Sequence, residues 1–365
     1  MTYHRWTTMA CRLLFFLLAT YGILYFSYKY YVPWLGGDDF ARYYSMYLHP
    51  LDISQTEAPW IYRQFHALVV HFIYKLGLFY SNQISFVNPN VDQHIFFSAL
   101  LSNYLGLVFT AFVVSCIVDC TIGGLSVCWP LLGGMFCFLS FFTQQVVITG
   151  LSEGWPWFLV ALGYYGYVSG RFWVLGIALL VSVGQRETIP ILFGSMSAVD
   201  LVVLTRQRRK RLFPVLVCLF SIFAFCSYVA LRRWLTPVSG YEHQLDIFSM
   251  VGHLAAWFPP QKTIIFQGLL SQNIFLLYLG SLMLRAIAER RDSGSKEAYR
   301  SWGADNLRAC AAFFILMIVS AASGIGENLG RISGVMTPIF AALLVIHLKA
   351  IEAGARGADV ELSGD

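Results

Sequence analysis

Gly36-Gly37-Asp38-Asp39-Phe40 is the stretch most able to do chemistry, with Arg42, Tyr43 and Tyr44 directly behind it. It follows a long apolar run, Leu14 to Tyr31, so the two adjacent carboxylates sit at a membrane boundary, where uncompensated charge is costly. A cation, a metal or a proton-transfer task would keep them there. The plainer explanation is a solvated helix cap, since Asp is a favoured N-cap. Either carboxylate could serve as general base toward a hydroxyl group or ligate a divalent ion.

Other ionisable groups fall near the ends of apolar runs. They are Arg63 in Trp60-Ile61-Tyr62-Arg63-Gln64-Phe65, Glu153 in Gly150-Leu151-Ser152-Glu153-Gly154, and Arg186 and Glu187 in Gln185-Arg186-Glu187-Thr188. Glu327 and Arg331 follow in Gly326-Glu327-Asn328-Leu329-Gly330-Arg331, and the loop 232–262 adds Tyr241, Glu242, His243 and Lys262. Guanidinium groups can clamp a phosphate or pyrophosphate bidentately, more strongly where water is excluded. The competing role for each pair is an ion pair locking two helices. Trp34, Trp60, Tyr62, Trp155 and Trp157 could stack on sugar faces or form an interfacial aromatic belt.

The elements that must position these groups are membrane helices. Of the residues, 57% are hydrophobic and only 12% charged, against roughly 25% charged in soluble domains. A chain this apolar reads as polytopic. The formal charge of +5 lies mostly in basic clusters at segment ends, a topology signal that excludes a nucleic-acid surface. The eight cysteines lie almost wholly inside apolar runs, with no zinc or disulfide spacing. His4, Arg5 and Arg12 ahead of the first run fit a retained signal anchor.

Runs of spanning or near-spanning length occur at 13–31, 95–118, 121–142, 156–169, 172–185, 188–204, 212–231, 263–284, 309–324 and 332–348. Basic residues in 206–211 and 285–308 mark the cytoplasmic side. Counting back from them puts 32–94, 143–155 and 184–187 on the outer side, provided that 65–80 lies on the membrane as an interfacial or re-entrant helix. The expected fold is therefore all-α: a single transmembrane bundle, 1–351, of about ten spanning helices, with interfacial helices in a first outer loop, 32–94. The segment 352–365 is expected to be a disordered cytoplasmic tail, and both termini are expected to be cytoplasmic. In this frame Asp38, Asp39, Arg63, Glu153, Arg186, Glu187, Lys262, Glu327 and Arg331 all belong to one face. Asp119 and Asp200 are the exceptions.

An acidic pair just after the first membrane helix, followed by an outer loop running on to an aromatic-Tyr-Arg segment and an interfacial helix, resembles the C-type glycosyltransferase superfamily (GT-C). So do an Arg-Glu-Thr hairpin tip and a late Glu/Arg motif ahead of a Pro-containing helix. The residues concerned are Asp38, Asp39, Tyr62, Arg63, Arg186, Glu187, Glu327, Arg331 and Pro338. The resemblance implies a sugar donor linked to polyprenyl phosphate, and a glycan, lipid or protein acceptor at the outer face of what would be a bacterial inner membrane. It further implies Asp38 or Asp39 as catalytic base, with room for a divalent metal there, and no other cofactor. Donor-phosphate binding would fall to Arg186 and Arg331, with Arg63 and Lys262 behind them and Glu153 as second carboxylate. Larger members carry a soluble C-terminal domain, which is not expected here, leaving acceptor recognition to the membrane loops. A polysaccharide polymerase or ligase, a transporter or flippase for a lipid-linked or anionic substrate, and a scaffold subunit are the alternative functions.

Overall fold

The computed structural model describes residues 2–30, 39–52, 54, 60–78, 92–123, 127–143, 151–203, 212–235, 251–252, 255, 271–291, 296–322 and 332–362. Among these residues the regular structure is all helical. In chain order the helices are α1 (Thr2–Tyr30), α2 (Asp39–Leu48), α3 (Gln64–Lys75), α4 (Gln93–Ile122), α5 (Cys128–Phe138) and α6 (Gly154–Val168). They continue as α7 (Phe172–Ser182), α8 (Thr188–Val203), α9 (Leu212–Leu235), α10 (Asn273–Arg291), α11 (Lys296–Ala322) and α12 (Thr337–Leu362). One-turn 3-10 segments, Trp60–Tyr62 and Gly334–Met336, lead into α3 and α12.

Five helical segments are long and apolar enough to cross a bilayer: Trp6–Tyr30, Gln93–Ile122, Leu212–Leu235, Ala304–Ala322 and Gly334–Ala353. The chain is thus a helical membrane protein. Hydropathy overstates several of the other runs, because it counts apolar residues across turns. Among the described residues of the run 121–142 the main helix is α5, since Gly123 (φ +89°) ends α4 in a left-handed cap bonded to Asp119 O. The eleven residues of α5 or α7 rise about 16 Å. The run 65–80 gives α3, outside the five long segments, and α12 continues to Leu362 through most of the segment expected to be a tail. Ala and Glu, good helix formers, recur there.

α4 is the axis of the assembly. Asp92 caps its first turn, accepting from His94 N (2.8 Å) and Ile95 N (3.4 Å). Its flanks pack against α1, α3, α5, α6 and α12. Apolar lipid gives no hydrophobic drive to pair apolar helices, so close packing and polar crosslinks must do it. Both occur here. Tyr104 of α4 donates to Leu17 O at 2.6 Å and meets Thr20 Oγ1 at 3.2 Å, fastening α1. Gly106 of α4 lies so near α6 that a Cβ there would sit 2.7 Å from the carbonyl carbon of Gly154. A Cβ on Gly154 would lie 2.5 Å from Asn103 O.

That contact fixes the height of residue 153 on the bundle. Gly106→Ala and Gly154→Ala should each lower stability by roughly 1–3 kcal/mol through forced backbone separation. Gly22→Ala, with nothing within 4 Å, should be neutral. Thermal unfolding of the three variants in detergent checks the contrast, and equal midpoints would refute it.

Candidate functional site

Four separate stretches meet at one end of the bundle: the start of α2, the 60–66 turn into α3, residues 151–153 ahead of α6, and the 183–187 turn between α7 and α8. Backbone and neutral side chains stitch them together. Phe65 N donates to Gly184 O at 3.1 Å. The Gln185 amide bridges two stretches, donating to Ser152 O (2.8 Å) and accepting from His66 N (3.2 Å). Asn103 grips the chain on either side of Glu153, donating to Leu151 O and accepting from Gly154 N at 3.2 Å. Trp155 Nε1 adds a bond to Ser102 Oγ at 2.9 Å.

Glu153, only 2% exposed, is the hub. Its carboxylate pairs with Arg186 Nη2, and Arg63 Nη1 stands 4.0 Å away. Arg63 Nη1 also donates to Tyr43 Oη and to Ser152 Oγ (3.2 Å), while Ser152 donates to Tyr43 Oη at 3.1 Å. Tyr43 stacks on Tyr47 at 5.9 Å, and Tyr47 Oη meets His66 Nε2 at 3.1 Å. His71 Nδ1 binds Tyr47 O at 2.9 Å. α2 is thus pinned to the cluster through two tyrosines one turn apart, and Asp39, its first residue, stands one turn ahead of Tyr43.

A second group adjoins the first. Glu187 lies near the hydroxyl of Tyr228 on α9, and Tyr228 meets Tyr62 edge-on at 6.1 Å. The Arg232 guanidinium lies 5.2 Å from the centre of the Tyr62 ring. Arg186 and Glu187, neighbours in sequence, therefore face different groups.

Of the residues singled out in the sequence, the structure brings together Tyr62, Arg63, Glu153, Arg186 and Glu187. Asp38, Lys262, Glu327 and Arg331 lie outside the described residues, as does the side chain of Asp39. Glu153 is more deeply engaged than a free acid–base group would be, since both neighbouring arginines draw on it. Arg63 has 17% of its side chain exposed against 5% for Arg186, so Arg63 is the more accessible of the two. Among the described residues no three His, Cys, Asp or Glu side chains are placed to hold a metal ion. Arg232 and Tyr228 were missed in the sequence. The available signal was Arg232-Arg233-Trp234, a basic and aromatic close to an apolar helix.

The two acids set apart in the sequence lie at the other end of the bundle, each with a cation. Asp119 pairs with Arg12 of α1 at 3.1 Å. Asp200 of α8 accepts from Tyr167 and from Arg308 of α11, which also holds Asp305. A cavity of about 50 Å³ lies there, between Tyr164, Asp305, Asn306 and His347. No protein-family model, curated protein or solved structure matches this chain.

His66 is wholly buried, and burial pushes its imidazole down to about 3 from 6.5; Glu153 pulls it up and Arg63 pushes it further down. The neutral ring is the native form. The unfolded chain takes up a proton below about 6.5 and the folded one does not, so stability is lost as pH falls from 6.5 toward 3. The Tm difference between wild type and His66→Gln should change with pH across that window and be constant above it; a pH-independent difference would refute this. Glu153→Ala removes the carboxylate from a buried pair and should cost roughly 3–5 kcal/mol. Glu153→Gln/Arg186→Met should recover part of that loss in the same unfolding assay, and a double variant no better than Glu153→Ala would count against it.

Proposed function

We propose that the protein is an integral membrane glycosyltransferase that moves a sugar from a polyprenyl-phosphate-type donor to a glycan, lipid or protein acceptor. The observation that carries this reading is the gathering of Arg63, Arg186 and Glu153 beside the helix that begins with Asp39. A guanidinium cluster for a lipid phosphate and a carboxylate for an acceptor hydroxyl are the two things such a transfer needs. In this reading, separate stretches at one end of a membrane bundle supply both.

The acceptor oxygen attacks the anomeric carbon, and the bond from that carbon to the phosphate oxygen breaks. The lipid phosphate leaves with the electron pair, and the acceptor's proton passes to Asp38 or Asp39, the latter at the head of α2. General-base assistance of this kind is worth roughly 10²–10⁴-fold in rate. A phosphate monoester anion is a good leaving group, so holding it in place dominates. Arg63, the more exposed of the two arginines, takes the phosphate, and Arg186 and Glu153 hold Arg63's surroundings in charge balance. Lys262, Glu327 and Arg331 belong to the same face in this scheme. A divalent metal would find its carboxylates at Asp38 and Asp39.

The proposal includes a topology. It assigns ten crossings to α1 and α4 to α12, with α2 and α3 as interfacial helices and both termini cytoplasmic. The cell membrane of a bacterium is the setting proposed. Phe275, Phe313 and Phe340 pack between the cavity end and the opposite end, with ring centroids 4.1–5.4 Å apart.

The test uses purified protein in proteoliposomes with radiolabelled polyprenyl-phosphate sugars and a membrane extract as acceptor. Wild type should transfer label, while Asp38→Asn and Asp39→Asn, singly or together, should abolish transfer with insertion intact. Arg63→Ala and Arg186→Ala should weaken donor binding. Full activity in the double Asp variant would remove the base, and no binding of any polyprenyl phosphate by wild type would overturn the proposal.

A further inference from the structure

We infer that the cavity at the end opposite Glu153 is a binding site for a monovalent alkali cation, held by oxygens of Asp305, Tyr164, Asn306 and Thr121. The site stands apart from the proposed sugar transfer and shares no residue with it.

Four helices wall the cavity of about 50 Å³: α4 brings Thr121, α6 Tyr164, α11 Asp305 and Asn306, and α12 His347. It runs from a wet rim to a dry floor. Thr121 is exposed and Asp305 has 45% of its side chain exposed, whereas Asn306, Tyr164 and His347 are buried. A water-sized occupant needs roughly 10–15 Å³ of such volume. The cavity therefore suits an ion with a few waters and is too small for a bulky organic cation.

Three tyrosines surround this region, and two of them are satisfied. Tyr167 donates to Asp200, and Tyr278 donates to Asn306 Oδ1 at 2.7 Å. Tyr164, only 3% exposed, makes no hydrogen bond among the described residues. It lines the cavity, and the charges of Asp305 and Arg308 act on it. A phenol buried this deeply is ordinarily paired, and the cavity is where its partner can sit.

Charge decides the sign of that partner. Arg308 is shared between Asp200 and Asp305, so one guanidinium faces two carboxylates. These are the charges that act on Asp305; Arg285 lies near His347, and its charge is not felt at Asp305. Asp200 is buried and also bonded by Tyr167. Asp305, at the rim, keeps carboxylate lone pairs for a second cation. Uncompensated charge in a membrane helix is costly and tends to mark an ion site.

Neutral oxygens complete the shell. Thr121 gives its proton to Ile117 O at 2.8 Å and keeps its lone pairs, and an amide oxygen such as Asn306 Oδ1 has a second lone pair beyond the one facing Tyr278. A single available carboxylate among neutral oxygens suits a monovalent ion, since calcium sites draw on several carboxylates.

The test is thermal unfolding of the full chain in detergent at fixed chloride, with sodium, potassium or N-methyl-D-glucamine as the cation. Sodium or potassium should raise the wild-type midpoint with a saturable dependence on concentration, and radiolabelled sodium or rubidium should bind at a single site. Tyr164→Phe should keep the wild-type midpoint in N-methyl-D-glucamine and weaken ion binding about tenfold. Asp305→Asn should abolish the response to the ion. If the cavity holds water alone, all three cations will give one midpoint, and the inference fails. It fails equally if Tyr164→Phe keeps the wild-type ion affinity, or if that variant is stabilised alike in all three buffers, as relief of an unpaired phenol would produce. Transfer and binding assays with polyprenyl phosphates read the opposite end, so the glycosyltransferase proposal stands or falls separately.

Discussion

The carboxylate of Glu153 is the interaction on which this end of the bundle depends. Two guanidinium groups brought near each other in a poorly solvated site repel, and burying either one alone is expensive. One carboxylate between them removes both problems, which allows Arg186 to be almost wholly buried and Arg63 to reach toward the surface. Its position is in turn set by uncharged contacts. Asn103 holds the peptide groups on both sides, and the glycine contact between α4 and α6 lets the two backbones come close enough for those bonds. A charged centre is thus oriented by neutral hydrogen bonds, whose geometry does not change with ionic strength.

Composition alone was enough to establish a helical membrane protein, because so few charged residues cannot cover an aqueous fold. The approach of Arg63, Glu153, Arg186 and Glu187 to one end was legible too, since each lies at the edge of an apolar run and the runs must alternate in direction. The pairing was not. Arg186 and Glu187 invite an adjacent pair, yet on a tight turn consecutive side chains diverge, so Arg186 finds Glu153 while Glu187 finds Tyr228. Helix lengths were poorly legible for a related reason. Hydropathy averages over a glycine such as Gly123, whose left-handed backbone stops α4 inside an unbroken apolar stretch. Arg232 escaped notice because its significance lies in Tyr62, some 170 residues away in sequence, and no local pattern announces an aromatic partner at that distance.

The polar groups of the two ends are used differently. At one end, neutral amides and hydroxyls surround the charges and bind segments that are otherwise irregular. At the other, Asp119 and Asp200 answer Arg12 and Arg308 across helices, as simple ties between α1 and α4 and between α8 and α11. Phe275, Phe313, Phe340 and Tyr278 fill the space between with overlapping rings. Aromatic packing of this kind resists compression, so α10, α11 and α12 are held at fixed spacing there.

The shortness of α7 has a consequence for the depth at which chemistry would take place. Its eleven residues climb only about half of a hydrocarbon layer roughly 30 Å thick, and Trp173, Ile177 and Leu180 turn outward along it. Either the surrounding lipid thins to meet so small a helix or the Gln185-Arg186 corner is sunk below the headgroups. In both cases a phosphate reaching that corner leaves bulk water behind, and each guanidinium it meets pulls harder than the same group would on an open surface.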